Sequence, residues 1–156
     1  MIRDAIPSDQ PALMELEIAT GLFQPDELEA VSAMMSEYFS GNAGEGHQWV
    51  VDDDGGIQGA AYYAPETLAR GAWNLYFIGV HPSEQGKGRG GRLVRKVEAT
   101  LSARGERLLL IETSGLGSFE LTRTFYRKNG YTEEARIRDF YAAGDDKVIF
   151  TKHLGS

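Results

Sequence analysis

Apolar residues return every three or four positions in the first quarter of the chain and then every second position. Leu13 and Leu16, with Glu17, mark one helical face, and Leu28, Val31, Met34, Met35 and Tyr38 mark another. Ser8 or Asp9 stands where the first helix would be capped. Pro25 followed by Asp26 and Glu27 opens the second, and Gly41 ends it. The opening MIRDA predicts a short strand. From His47 the period shortens: 48–53 and 57–64, joined through Asp-Asp-Gly-Gly, predict an antiparallel hairpin. A third strand over 73–80 is apolar on both faces in its second half, as a central strand is, and stops at His81-Pro82.

Helical spacing returns at Leu93, Val94, Val97 and Leu101, with arginines opposite and Gly105 as the stop. The almost wholly apolar RLLLIET (107–113) predicts a strand covered on both faces and reached by a parallel crossover. FELTRTFYRKNG predicts a further helix, with Leu121 and Phe125 sharing a face and Gly130 closing it. ARIRDFY, an Ala-Gly-Asp-Asp turn and KVIFTKHL then predict a terminal hairpin. There is no repeat, low-complexity tract or linker. This order predicts an α/β (α+β) fold, a mixed, mostly antiparallel central sheet flanked by helices with one parallel βαβ crossover, in a single domain over 1–156.

Composition narrows the function classes. The 156 residues are 42% apolar and 25% charged, which suits a compact soluble fold rather than disorder. No uncharged apolar run approaches the roughly 20 residues of a membrane helix. Arg3 and Asp4 interrupt any leader-like start, so a cytoplasmic protein without membrane partners is expected. Cysteine is absent, and His47, His81 and His153 have no ligand spacing, so no metal is expected. A net charge of -7 disfavours nucleic acid as a partner. Yet 87–107 holds seven basic and two acidic residues, a local seat for an anion or a solvated helix face.

The chemistry concentrates in His81-Pro-Ser-Glu-Gln-Gly-Lys-Gly-Arg-Gly-Gly91, which follows a predicted strand and opens a predicted helix. Gly86, Gly88, Gly90 and Gly91 let main-chain N–H groups approach a ligand, and the helix start favours a phosphate or pyrophosphate. A Walker loop is excluded, because no Gly-Lys precedes Ser or Thr. Gly86-x-Gly88-x-x-Gly91 satisfies the dinucleotide fingerprint, with Glu112 placed for a ribose. Against it stand the five residues between strand and glycine and the single crossover.

Gln85-x-x-Gly88-x-Gly90 fits a third reading. With IRDAIPSDQPAL before it and FYRKNGY after it, the chain resembles the GNAT superfamily of acetyl-CoA-dependent N-acetyltransferases over nearly its whole length. The resemblance implies acetyl-CoA as co-substrate, its pyrophosphate held by the main chain of Gln85, Gly86, Lys87, Gly88, Arg89, Gly90 and Gly91. It places the pantetheine arm beside the main chain of Ile78 and Val80, where an amide would also serve the oxyanion, and it makes Tyr126 the general acid toward sulfur. Arg89, Arg92 and Arg95 are candidates for the ribose phosphate.

The glutamate that some members carry on the central strand falls here on Asn74, which takes no proton. Phe119 and Thr122 occupy the places of the usual Asn and Ala before the Phe-Tyr pair. Glu112, Tyr76 or a water chain is left as the base. The reaction expected is acetyl transfer to a primary amine of a small molecule or peptide by direct attack. The alternatives are a dinucleotide-dependent oxidoreductase and a non-catalytic acyl-CoA-binding module. Tyr62, Tyr63, Trp73, Phe140 and Tyr141 are candidate pocket or core residues, and the oligomeric state, a homodimer included, stays open.

Overall fold

A computed structural model describes residues 1–155. Seven strands, β1 (Ile2–Asp4), β2 (Gln48–Asp53), β3 (Ile57–Pro65), β4 (Ala72–Val80), β5 (Leu108–Ser114), β6 (Thr132–Ala142) and β7 (Asp145–His153), are hydrogen-bonded in the order β1-β2-β3-β4-β5-β7-β6. Four helices accompany them: α1 (Gln10–Thr20), α2 (Pro25–Phe39), α3 (Arg89–Ala103) and α4 (Glu120–Lys128). The sheet is mixed and mostly antiparallel, with β4 and β5 as its parallel pair. None of these helices is long and apolar enough to cross a membrane. The chain forms two compact units, Met1–Ala64 with Phe77–Val97, and Pro65–Tyr76 with the residues from Glu98 onward.

In the first unit the predicted faces of α1 and α2 meet, except that Met34 of the α2 stripe is exposed and Met35 is the buried residue of that helix. Leu13 and Leu16 of α1 and Met35 of α2 pack with Trp49, Val51, Ala60, Tyr62 and Phe77, and the Trp49 ring stacks on Tyr62 at 4.8 Å. The expected side-chain cap of α1 is replaced by an ion pair. The Asp9 carboxylate accepts from Arg3 at 2.8 and 3.0 Å and from the Ile6 N–H at 2.8 Å, closing the turn ahead of the helix. The Arg3 guanidinium holds that carboxyl below its ordinary range. Gly59 lies where two backbones nearly touch: a Cβ there would sit 2.9 Å from Leu93 Cδ1 and 3.1 Å from the Gly79 carbonyl oxygen.

One side chain breaks the pattern. Glu17 shares the inward face of α1, is 1% exposed, and neither carboxyl oxygen has a hydrogen-bond partner. Burial alone pushes its carboxyl up to about 9.

In the second unit the parallel ladder runs from Ala72 opposite Leu108 to Leu75 opposite Ile111, and β5 continues antiparallel to β7. Helix α4 departs from expectation. Leu121 is 85% exposed, and the buried residues are Arg123 and Tyr126. Arg123 is drawn inward because its guanidinium donates to the carbonyls of Ser114 (2.7 Å) and Leu116 (2.8 Å) and pairs with Glu120 (2.7 Å). Those partners offset its burial. The charged terminal hairpin is accounted for by its own turn: Asp139 adopts a φ of 54°, its carboxylate accepts from the Gly144 N–H, and Asp146 accepts from the Asp139 N–H and from Arg136.

Two stability experiments follow from this packing. Gly59→Ala overpacks the contact with Leu93 and Gly79 and is expected to cost about 1–3 kcal/mol in urea unfolding. Glu17 has a folded-state pKa above its unfolded value. Its stabilising contribution is therefore complete below about pH 4 and declines as the pH rises toward 9. Urea titrations should show Glu17→Gln gaining on the wild type across that window, by up to about 1.4 kcal/mol per pH unit. A pH-independent difference would show that the carboxyl titrates normally.

Candidate active site

The glycine loop belongs to the first unit. After Val80, His81 Nδ1 accepts from the Ser83 N–H at 3.2 Å and bonds the Ser83 hydroxyl at 2.8 Å, shaping one short turn over Pro82–Glu84. Gln85 is extended, and its side-chain amide donates to the Val80 carbonyl at 3.2 Å, tying the loop to the end of β4. Gly86 (φ 78°) and Gly88 (φ 84°) take the left-handed conformation that reverses the chain into α3. The first main-chain bond of α3 runs from the Arg92 N–H to the Gly88 carbonyl at 3.1 Å. The N–H groups of Gly88, Arg89, Gly90 and Gly91 donate to no other atom of the described residues. Four donors thus converge at the positive end of a 15-residue helix.

Side chains hold this shape from below. The Arg89 guanidinium reaches Asp52 at 2.9 Å, Asp54 at 2.7 Å and Glu84 at 2.8 Å, and Lys87 Nζ reaches Glu84 at 2.7 Å. Hydrogen bonding to these cations holds the Asp54 and Glu84 carboxyls below their ordinary range. The Arg89 guanidinium is thus committed to three carboxylates, while its N–H bonds no atom of the described residues. The Arg92 guanidinium donates to the Lys87 carbonyl at 3.4 Å. The strand order provides one parallel pair, so a dinucleotide fold built on successive βαβ units is not what this loop serves.

The second unit carries the candidate proton-transfer side chains. Asn74 is buried, and its amide donates to Glu66 Oε1 at 3.0 Å. Glu112 pairs with Lys147 Nζ at 3.1 Å. Tyr76 is half exposed, and burial, then the charges of Glu66 and Glu112, raise its phenol pKa. Tyr126 is 5% exposed, with its ring against Phe150 and Phe125 at 5.6 Å, and its hydroxyl makes no hydrogen bond to a described residue. Burial raises its phenol well above the usual value, so it stays protonated and able to donate. Of the candidate pocket aromatics, Tyr62, Tyr63 and Trp73 are core, and Phe140 and Tyr141 are exposed. Glu66, Glu17 and Arg123 were not singled out for chemistry by sequence; isolated charged residues carry no motif.

Strand β4 reaches Val80, and its parallel register with β5 runs from Ala72 opposite Leu108 to Leu75 opposite Ile111.

The family model described as an acetyltransferase (GNAT) domain matches residues 44–133. A GNAT-family protein from Desulfovibrio desulfuricans is 33% identical, with 99% of this chain and 98% of that one covered and a TM-score of 0.92. The ribosomal-protein-S18-alanine N-acetyltransferase from Escherichia coli is 21% identical over 100% and 94% of the two chains, with a TM-score of 0.79. The PaiA N-acetyltransferase from Thermoplasma acidophilum, solved in complex with coenzyme A, is 18% identical over 98% of both chains, with a TM-score of 0.75. No curated protein matches the sequence significantly. On the family match and the Desulfovibrio relative, this chain belongs to the GNAT acetyltransferase family.

Proposed function

We propose that the protein transfers the acetyl group of acetyl-CoA to a primary amine of a small molecule or peptide by direct attack on the thioester. The observation that carries this reading is the row of free main-chain N–H groups from Gly88 to Gly91 at the start of α3, on a loop with its own carboxylates neutralised by Arg89 and Lys87. A pyrophosphate supplies the acceptor oxygens such a row lacks. Gln85, Gly86 and Lys87 complete the cradle through their main chain. The main chain at the end of β4, at Ile78 and Val80, is the partner this reading gives the pantetheine arm. That relatives of the same fold were solved with coenzyme A bound supports the choice of ligand.

In this reading the amine nitrogen attacks the acetyl carbonyl carbon, and a main-chain N–H of β4 near Ile78–Val80 receives the oxyanion. The carbon–sulfur bond then breaks as Tyr126 donates its phenolic proton to sulfur. Holding both reactants together provides much of the acceleration, up to roughly 7–11 kcal/mol of the barrier. Glu112, the sequence candidate for proton acceptor, is ion-paired with Lys147 Nζ.

Calorimetric titration with acetyl-CoA and with NADH, followed by thiol release with polyamines, amino acids and peptides, tests the whole reading. Acetyl-CoA binding with amine-dependent thiol release is expected. NADH binding in its place overturns the reading, and acetyl-CoA binding without turnover favours the acyl-CoA-binding module. Gly88→Val forces a branched side chain into a φ of 84° and is expected to weaken acetyl-CoA binding about tenfold or more. Tyr126→Phe is expected to lower kcat by roughly 10²–10⁴ with acetyl-CoA affinity unchanged. Unaltered turnover would reduce Tyr126 to packing.

A further inference from the structure

Glu17 has no structural role that its surroundings explain. Leu13 and Leu16, on the same face of α1, pack in an apolar cluster with Met35, Trp49, Val51, Ala60, Tyr62 and Phe77. Within this unit both Glu17 carboxyl oxygens and the Trp49 indole N–H are buried without a partner. Buried polar groups without partners are rare, and a leucine would serve a structural role at position 17 better. Among the hydrophobic residues of the cluster and those packed against it, the titratable ones are Tyr62, bonded to His47, and Tyr38, bonded to Gln48 and near the charge of Asp4.

The placement of α1 says what the carboxyl is for. One turn after Glu17, on the same face, Thr20 lies against β4: a Cβ on Gly79 would sit 3.2 Å from Thr20 Cγ2. Phe77 of the same strand packs in the cluster that Leu13 and Leu16 enter. The face of α1 that bears Glu17 therefore lies over β4 at Phe77–Gly79, which overlaps the Ile78–Val80 stretch to which the acetyltransferase reading assigns the thioester. The cluster's aromatic rings, Trp49 and Phe77 at 5.9 Å among them, suit a cation as well as an apolar stem.

We infer that Glu17 is the proton acceptor for the attacking amine and selects an acceptor that enters as a primary ammonium, an inference that rests on the acetyltransferase reading. On entry of the ammonium the Glu17 carboxyl yields its proton to solvent and pairs with the cation. Glu17 then takes one proton from nitrogen, and the freed lone pair forms the N–C bond to the acetyl carbon. The C–S bond breaks, its electron pair goes to sulfur, and Tyr126 protonates that sulfur. The nitrogen's second proton is lost to solvent and Tyr126 regains one from solvent, so each turnover yields the amide, free coenzyme A and one proton.

The test compares Glu17→Gln with the wild type in thiol-release assays near neutral pH, with ethylenediamine and spermidine as cationic probes and hydroxylamine as an acceptor already neutral there. The variant is expected to lose about 100-fold in kcat with the cationic probes, to acetylate hydroxylamine as the wild type does, and to bind acetyl-CoA unchanged. No loss, or equal loss with both acceptor types, overturns the inference. Carboxyl ¹³C NMR of the acetyl-CoA-bound wild type provides a readout independent of turnover. The Glu17 signal, assigned by its absence in Glu17→Gln, should move to the ionised position on adding ethylenediamine. A signal that stays at the protonated position at saturating ethylenediamine overturns the inference. A wild type that binds acetyl-CoA yet acetylates no probe contradicts the acetyltransferase reading itself, and the NMR result still decides the role of Glu17.

Discussion

The unpaired hydrogen-bond donors at the first turn of α3 are the constraint around which the loop is organised. A helix always leaves its first N–H groups unbonded, and most helices cap them with a side chain. Here Gly88 to Gly91 provide no capping oxygen, and the nearest carboxylates are turned to Arg89 and Lys87. Neutralising Glu84 and Asp54 removes charges that would repel an anion, so the ion cluster keeps the seat both shaped and electrostatically open. Arg89 thereby contributes in two ways, its main-chain N–H within the unbonded row and its side chain gripping Asp52 on β2.

Much of this was legible in the residues. The helical faces of α1 to α3, the hairpin from 48 to 64 and the crossover from β4 to β5 follow from periodicity and turn chemistry, because in each case packing agrees with local pattern. The loop was legible because glycines and helix start coincide in one short segment. Helix α4 was misread where tertiary bonds overrode pattern: Arg123 is buried by two carbonyls and Glu120, and Leu121 is left outside. Glu17 was seen only as part of a helical face. Its isolation is a property of what surrounds it in space, and no spacing rule reports that. The commitment of Arg89 was hidden for the same reason, since Asp52 and Asp54 lie more than thirty residues away in sequence.

The most direct test of the account is an amide ¹H–¹⁵N NMR titration of the intact protein with coenzyme A. The main-chain signals of Gly88, Arg89, Gly90 and Gly91 should show the largest downfield shifts in the protein, as expected of N–H groups that gain phosphate acceptors. If those four signals stay in place while coenzyme A binds elsewhere, the loop is not the pyrophosphate seat and the central claim is contradicted.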